Sequence, residues 1–145
     1  MASFFLEGGK TVLIEDFGDK AKEKVYRSHG YNIFNNNLRF VILIDEGSAS
    51  ASEILAGAMQ DHKKALLIVE KSYGKGSVQE VLKITPDTIL KITVAKWLTP
   101  NGNSISEKGL VPDYQINPTE KDIINKKDKA LDKALELLKN WPGIK

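Results

Sequence analysis

Blocks of apolar residues along the chain change their period several times, and each change predicts an element. Phe40-Val41-Ile42-Leu43-Ile44 is a continuous apolar run, the pattern of a strand buried on both faces and central to a sheet. Past Gly47 the period becomes helical. Ala51, Ile54, Leu55, Ala58 and Met59 fall at i, i+3, i+4, i+7 and i+8, one face of a helix that Asp61-His62-Lys63-Lys64 closes. Residues 65–69 form a second apolar run. Strand, helix and strand thus follow within about 30 residues, the length of a parallel βαβ unit with a right-handed crossover.

Upstream, residues 2–6 read as the end of an apolar element, broken at Gly8-Gly9 and followed by a short strand over residues 11–14. The polar stretch 15–37 suits a weak strand or helical turn plus an exposed loop ending in Asn35-Asn36-Asn37. Downstream, Ser72-Tyr73-Gly74-Lys75-Gly76-Ser77 is a loop by its glycines. Residues 78–84 and 89–98 flank Thr85-Pro86-Asp87, turn chemistry that predicts an antiparallel hairpin. Leu90, Ile92 and Val94 would lie on its more buried face, with Lys91, Thr93 and Ala95 on the wetter one. Asn101-Gly102-Asn103 marks another turn. Leu131, Ala134, Leu135 and Leu138 form an apolar stripe on a lysine-rich helix over about residues 120–140, a face that would dock on the core.

Composition narrows the picture. A chain of 145 residues, 41% hydrophobic and 28% charged, suffices for one α/β domain with its own core. A net charge of +2 is too small to imply a nucleic-acid partner. The absence of cysteine excludes a disulfide scaffold, a thiol nucleophile and a thiolate metal site. No apolar run approaches the roughly 18 residues of a membrane span, so no stable membrane insertion is expected.

The stretch EGSASASEILAGAMQDH, residues 46–62, carries the candidate chemistry, with Ser48, Ser50 and Ser52 at alternate positions ahead of the helix. Ser50 with Glu53 three residues later fits a capping box, which alone would explain a serine here. A serine between a buried strand and a helix also stands where open α/β sheets bind ligands, with first-turn N–H groups facing any developing oxyanion. Local pattern leaves both roles open, and only a base would separate them, because an unassisted hydroxyl is a weak nucleophile. The G-x-S-x-G elbow is absent. For a Ser-His-Asp triad, Asp61 adjoins His62 and points about 100° away from it on a helix, and His29 sits in a polar stretch. Lys75, between two glycines on the loop leaving the adjacent strand, is the best-placed remaining base. An ordinary lysine is neutral in only about 0.04% of molecules at pH 7. Bringing it near neutrality takes roughly 4 kcal/mol of differential environment, for which the flanking apolar strands offer burial; the residues alone leave a buried base and a surface lysine both open.

The segments GSASASEILAGAMQDH, SYGKGSVQ, AKWLTPNGNSI and GLVPD, in this order and spacing over roughly residues 38–139, closely resemble the carboxyl-terminal processing peptidases, also called tail-specific proteases. The resemblance implies that Ser50 is the nucleophile and Lys75, 25 positions later, the general base. It also implies that Gln79 orients the lysine amine and that Asp61 is a supporting acid; the Ala51 N–H is the oxyanion donor expected with this set. The implied fold is a crotonase-like arrangement of ββα units, with a mainly parallel sheet, an antiparallel hairpin and a C-terminal helix. The implied reaction cleaves polypeptides near nonpolar C-termini through an acyl-enzyme, without metal or cofactor, in an extracytoplasmic place such as the bacterial periplasm or cell envelope. Members of the family usually carry a PDZ domain and a strand ending in a turn rich in asparagine, proline and glycine. Neither is read in this sequence. Residues 1–145 are therefore expected to be part of a catalytic domain, with core motifs over 38–118. The alternative is a catalytically silent domain that folds by association, as a homo-oligomer or with another chain.

Overall fold

In chain order, the computed structural model has strands β1 (Thr11–Asp16), β2 (Lys24–Arg27) and β3 (Val41–Ile44), helix α1 (Ala51–Asp61), and strands β4 (Leu66–Val69), β5 (Ser77–Thr85), β6 (Thr88–Leu98) and β7 (Tyr114–Gln115). Helices α2 (Glu120–Ile124) and α3 (Lys129–Lys139) follow, and short 3-10 turns occupy Ala2–Phe4 and Gly18–Lys20. The structure describes residues 1–31, 33–34 and 37–144; Asn35 and Asn36 of the expected exposed loop lie outside the described residues.

The strands form two sheets. One is parallel, in the order β3-β4-β7, and the other is antiparallel, in the order β2-β1-β6-β5. The βαβ unit is present: β3 and β4 run parallel with Ile44 opposite Val69, and α1 connects them. The expectation of a mainly parallel sheet is corrected, because the larger sheet is antiparallel. The chain reverses directly from β5 into β6, and β6 is long enough to pair with β5 on one side and β1 on the other.

The core lies around β4. Leu67 packs with Ile44, Ala56 of α1, Ile105 and Leu110 in one cluster, while Leu66, Ile68 and Val69 pack with Ala134 and Leu137 of α3 in another. A strand with apolar residues at every position is thus covered on both faces. A third cluster, of Ala2, Leu6, Ala58, Met59 and Ala65, closes the far end of α1.

Five local expectations change. β3, expected at the centre of a sheet, is an edge strand, and Leu43 is 46% exposed; β4 takes the central place. α1 buries Ala58 and Met59 as expected and packs Ile54 and Leu55 partly buried against the core, but it also buries Glu53, Ala56 and Gly57 and leaves Ala51 exposed. Leu90 and Ile92 are 45% and 40% exposed while Ala95 is buried, because the outer part of the hairpin projects beyond the elements that cover its base. The C-terminal helix is two helices, since the chain takes a positive φ at Lys126, 53°, and the Asp128 carboxylate caps a new start by accepting from the Leu131 N–H at 2.9 Å. α3 docks through Ala134 and Leu137, leaving Leu131 and Leu135 of the expected stripe exposed.

Candidate active site

The three serines have different tasks. Ser48 shapes the turn after β3: its hydroxyl donates to the Asp45 carboxylate at 2.9 Å and accepts from the Asp45 N–H at 3.1 Å. The Ser52 hydroxyl is spent on the Ala49 carbonyl at 2.7 Å. Ser50 is exposed, caps α1, and holds φ 58° and ψ −118°. A side chain held in such a sparsely populated backbone region costs about 1–3 kcal/mol, and persists only where surrounding contacts impose it. The strained strand-to-helix serine that the G-x-S-x-G motif produces elsewhere is thus present here without the motif. Ser50 and Glu53 form the expected capping box, the Glu53 carboxylate accepting from the Ser50 N–H at 2.9 Å. The Ser50 amide is therefore occupied, whereas the Ala51 N–H at the helix start meets no acceptor among the described residues.

Glu53 does more than cap. Its side chain is 0% exposed and gathers four donors. Oε2 accepts from the backbone N–H groups of Ser50 and Lys75, each at 2.9 Å. Oε1 accepts from the Ser72 hydroxyl at 2.5 Å and the Gly74 N–H at 2.7 Å. Ser72 Oγ in turn accepts from Leu110 N–H at 2.7 Å, and Tyr73 N–H donates to Ser48 O at 3.0 Å. One buried carboxylate thus clasps the loop after β3 to the loop after β4, at the carboxyl edge of the parallel sheet. The capping box accounts for one of these four bonds; the sequence signal for the others is a carboxylate on the helix face that carries Ala56 and Gly57.

The glycines beside Lys75 let its loop lie backbone against backbone on residues 105–109. A Cβ on Gly76 would sit 2.3 Å from Ser106 N, and one on Gly74, where φ is +90°, would sit 2.9 Å from Gly109 N. The Gly76 carbonyl accepts from Trp97 N–H at 2.6 Å and that of Gly74 from Glu107 N–H at 3.0 Å. Positive φ also occurs at Val69, 102°, and Glu107, 63°, so strained backbone surrounds this loop. The Lys75 side chain is exposed, and its ammonium has no hydrogen bond or ion pair among the described residues. Of the two alternatives that the residues leave open, the structure has the surface lysine, lining an open cleft.

The remaining sequence candidates are placed differently. Gln79 lies on β5 opposite Thr93, beside an irregularity in the ladder at Val78/Gln79, and it is exposed without a hydrogen bond to Lys75. Asp61 is not brought to Ser50. It stands at the other end of α1, about 15 Å along the axis at 1.5 Å per residue, and accepts from Asn101 N–H at 2.8 Å. His62 caps the same helix end, with Nε2 2.6 Å from Thr11 O. His29 is exposed and stacks on Tyr31. Neither histidine supports a triad.

An open cleft of about 1430 Å³ lies beside the two loops, lined by Gly47, Ala49, Tyr73, Lys75, Ser77 and Glu107 among others. It is larger than the roughly 300–1,000 Å³ of small-molecule pockets. Residues 1–116 match the family model described as Peptidase family S41. The chain belongs to peptidase family S41. It is 41% identical over 116 residues to a probable CtpA-like serine protease of Staphylococcus haemolyticus, a match spanning 80% of this chain and 23% of that protein. A probable CtpA-like serine protease of Staphylococcus aureus (strain N315) is 38% identical over 125 residues, 86% of this chain and 25% of that one. This S41 chain therefore spans about a quarter of the length of those relatives. Among solved structures, the photosystem II D1 C-terminal processing protease is 30% identical with a TM-score of 0.71, over 89% of this chain and 34% of its own. A putative peptidase from Parabacteroides merdae shares the fold, with a TM-score of 0.77 at 17% identity, over 94% of this chain and 45% of its own. Among the described residues, no helix is long and apolar enough to cross a membrane.

Proposed function

We propose that residues 1–145 are the catalytic part of a serine endopeptidase with a crotonase-like arrangement, in which Ser50 is the nucleophile and Lys75 the general base. The observation that carries this reading is the clasp: the carboxylate that holds the amide of the strained Ser50 also holds the amide of Lys75. Family membership and the CtpA-like relatives support the same reading.

Neutral Lys75 takes the Ser50 proton as Oγ attacks the scissile carbonyl, and the developing oxyanion faces the Ala51 N–H at the positive end of α1. The C–N bond then breaks as Lys75 returns the proton to the leaving amine. Water, deprotonated by the same lysine, attacks the ester carbonyl, and the acyl C–O bond breaks as Lys75 returns that proton to Ser50 Oγ, releasing the acid. Gln79 orients the lysine amine once substrate has closed the gap that the free chain leaves. Asp61 supports the scheme at a distance, by holding the Asn101 turn. Each proton in the scheme moves between Ser50, Lys75, water and substrate, and no metal or cofactor is drawn on. The substrates are polypeptides with nonpolar C-termini, and the place of action is extracytoplasmic.

Hydrolysis of such a peptide should be lost in Ser50→Ala and in Lys75→Ala while both variants stay folded. Cleavage by both at the parent rate ends the proposal. The exposure of Lys75 favours a second reading, a domain that is silent until another chain or segment covers the lysine. In that reading the parent chain alone cleaves nothing, and adding the covering chain restores activity that depends on Ser50.

A further inference from the structure

We infer that the free outer edge of β5 is the strand onto which the polypeptide substrate is added, running from the cleft beside Lys75 along residues 77–85. The inference rests on the peptidase reading of Ser50 and Lys75 and goes beyond it by assigning the surface that holds the substrate's main chain.

β5 is the last strand in the order β2-β1-β6-β5. Alternate N–H and C=O groups on its outer side therefore have no ladder partner among the described residues. Such an edge is a ready template for another extended chain, and proteins blunt edges they do not use by shortness, proline or charge. β5 is only lightly blunted: its ladder to β6 is irregular at Val78/Gln79 and Lys83/Thr85, and regular from Gln79 to Lys83. It is nine residues long, SVQEVLKIT, without proline and with only Glu80 and Lys83 charged. Its first residue, Ser77, lines the same cleft as Gly47, Ala49 and Lys75, so the edge is continuous with the catalytic loops.

The side chains beside that edge suit an extended peptide. Leu82 stands opposite Leu90 and Glu80 opposite Ile92 on one face; Val81 stands opposite Lys91 and Lys83 opposite Ile89 on the other. The apolar members of both sets are exposed. A strand laid beside β5 would hydrogen-bond through its main chain and send alternate side chains past apolar neighbours on each face, a mode tolerant of sequence. It also answers the exposure of Lys75. A substrate strand entering beside Ser77 covers the rim of the cleft and removes water from the lysine only when there is a carbonyl to attack.

The test uses the 145-residue Ser50→Ala chain and a 12-residue unstructured peptide with an apolar C-terminus, read by amide hydrogen exchange. Every second amide of residues 78–83 should exchange freely without peptide and slow ten-fold or more with it. Peptides N-methylated at successive positions should lose this protection with a period of two. Unchanged β5 exchange, while the same peptide blocks fluorophosphonate labelling of Ser50 in the parent, overturns the inference and leaves the dyad standing. Protection without peptide that grows with protein concentration also overturns it, because a second copy then occupies the edge. Peptide-dependent protection in a folded parent whose Ser50 takes no label supports the docking edge and removes the catalytic assignment alone.

Discussion

Replacing Ser50 by glycine should stabilise the fold while removing the proposed nucleophile. Ser50 holds φ 58° and ψ −118°, a conformation that its Cβ makes costly. Relief of that cost is worth about 1–3 kcal/mol. Two losses oppose it: glycine at an N-cap gives up only a few tenths of a kcal/mol relative to serine, and the freer unfolded chain costs about 0.5–1 kcal/mol. The net expectation is a gain of about 1 kcal/mol. Ser50→Ala keeps the strain and loses the cap, so it should destabilise by about 0.5–2 kcal/mol. The contrast between the two variants, about 1–3 kcal/mol in favour of glycine, does not depend on the parent value. Urea unfolding followed by tryptophan fluorescence would resolve it: at a slope of about 2 kcal/mol per molar, the midpoints should lie about 0.5–1.5 M apart. An alanine variant as stable as the glycine variant, or more so, would refute the claim that Ser50 is strained.

Three further outcomes follow from the geometry. Glu53→Gln should destabilise the chain by about 3 kcal/mol and abolish Ser50 labelling, because a carboxamide nitrogen then faces one of the two donor pairs and leaves buried N–H groups unmet; an unchanged urea midpoint would show that the clasp carries no load. Gly76→Ala should cost more than about 2 kcal/mol, since its Cβ would sit 2.3 Å from backbone Ser106 N, whereas Gly47→Ala, whose nearest neighbour is 3.4 Å away, should unfold close to the parent. Asp122 is held well below its ordinary value of 3.8, first by Lys129 at 2.6 Å and then by the hydroxyl and amide of Thr119. The stability it lends α2 and α3 is present above that ordinary value and lost as pH falls through the lower folded one. Protection of α3 amides, relative to their intrinsic exchange rate at each pH, should therefore hold to about pH 4 and fall below about pH 3, a step that Asp122→Asn removes.

What could be read from the sequence was what local periodicity encodes. The 40–44 and 66–69 runs, the helix between them and the hairpin from 77 to 98 all repeat within a few residues, and all are present. What lies beside a strand is not local, so the apolar run of β3 predicts a central strand although β3 stands at an edge. For the same reason the alternation of Leu90 and Ile92 implied a buried face where the hairpin projects. In the site, the change of period at residues 45–50 located Ser50, and the glycines located the Lys75 loop. The positive φ of Ser50 left no mark in the sequence, because serine is not the residue that conformation favours. The clasp was hidden because Glu53 already had a sufficient local explanation as a cap, while three of its four partners come from or beyond the β4 strand end, at Ser72, Gly74 and Lys75.

The measurement that bears most directly on the central claim is fluorophosphonate labelling of the full chain across pH 6 to 10, read by intact mass. The parent should gain a single phosphonyl adduct on Ser50 at a rate that rises with pH, and Ser50→Ala and Lys75→Ala should gain none. A folded parent without an adduct, or a Lys75→Ala chain that labels at the parent rate, would contradict the assignment of Ser50 and Lys75 as nucleophile and base.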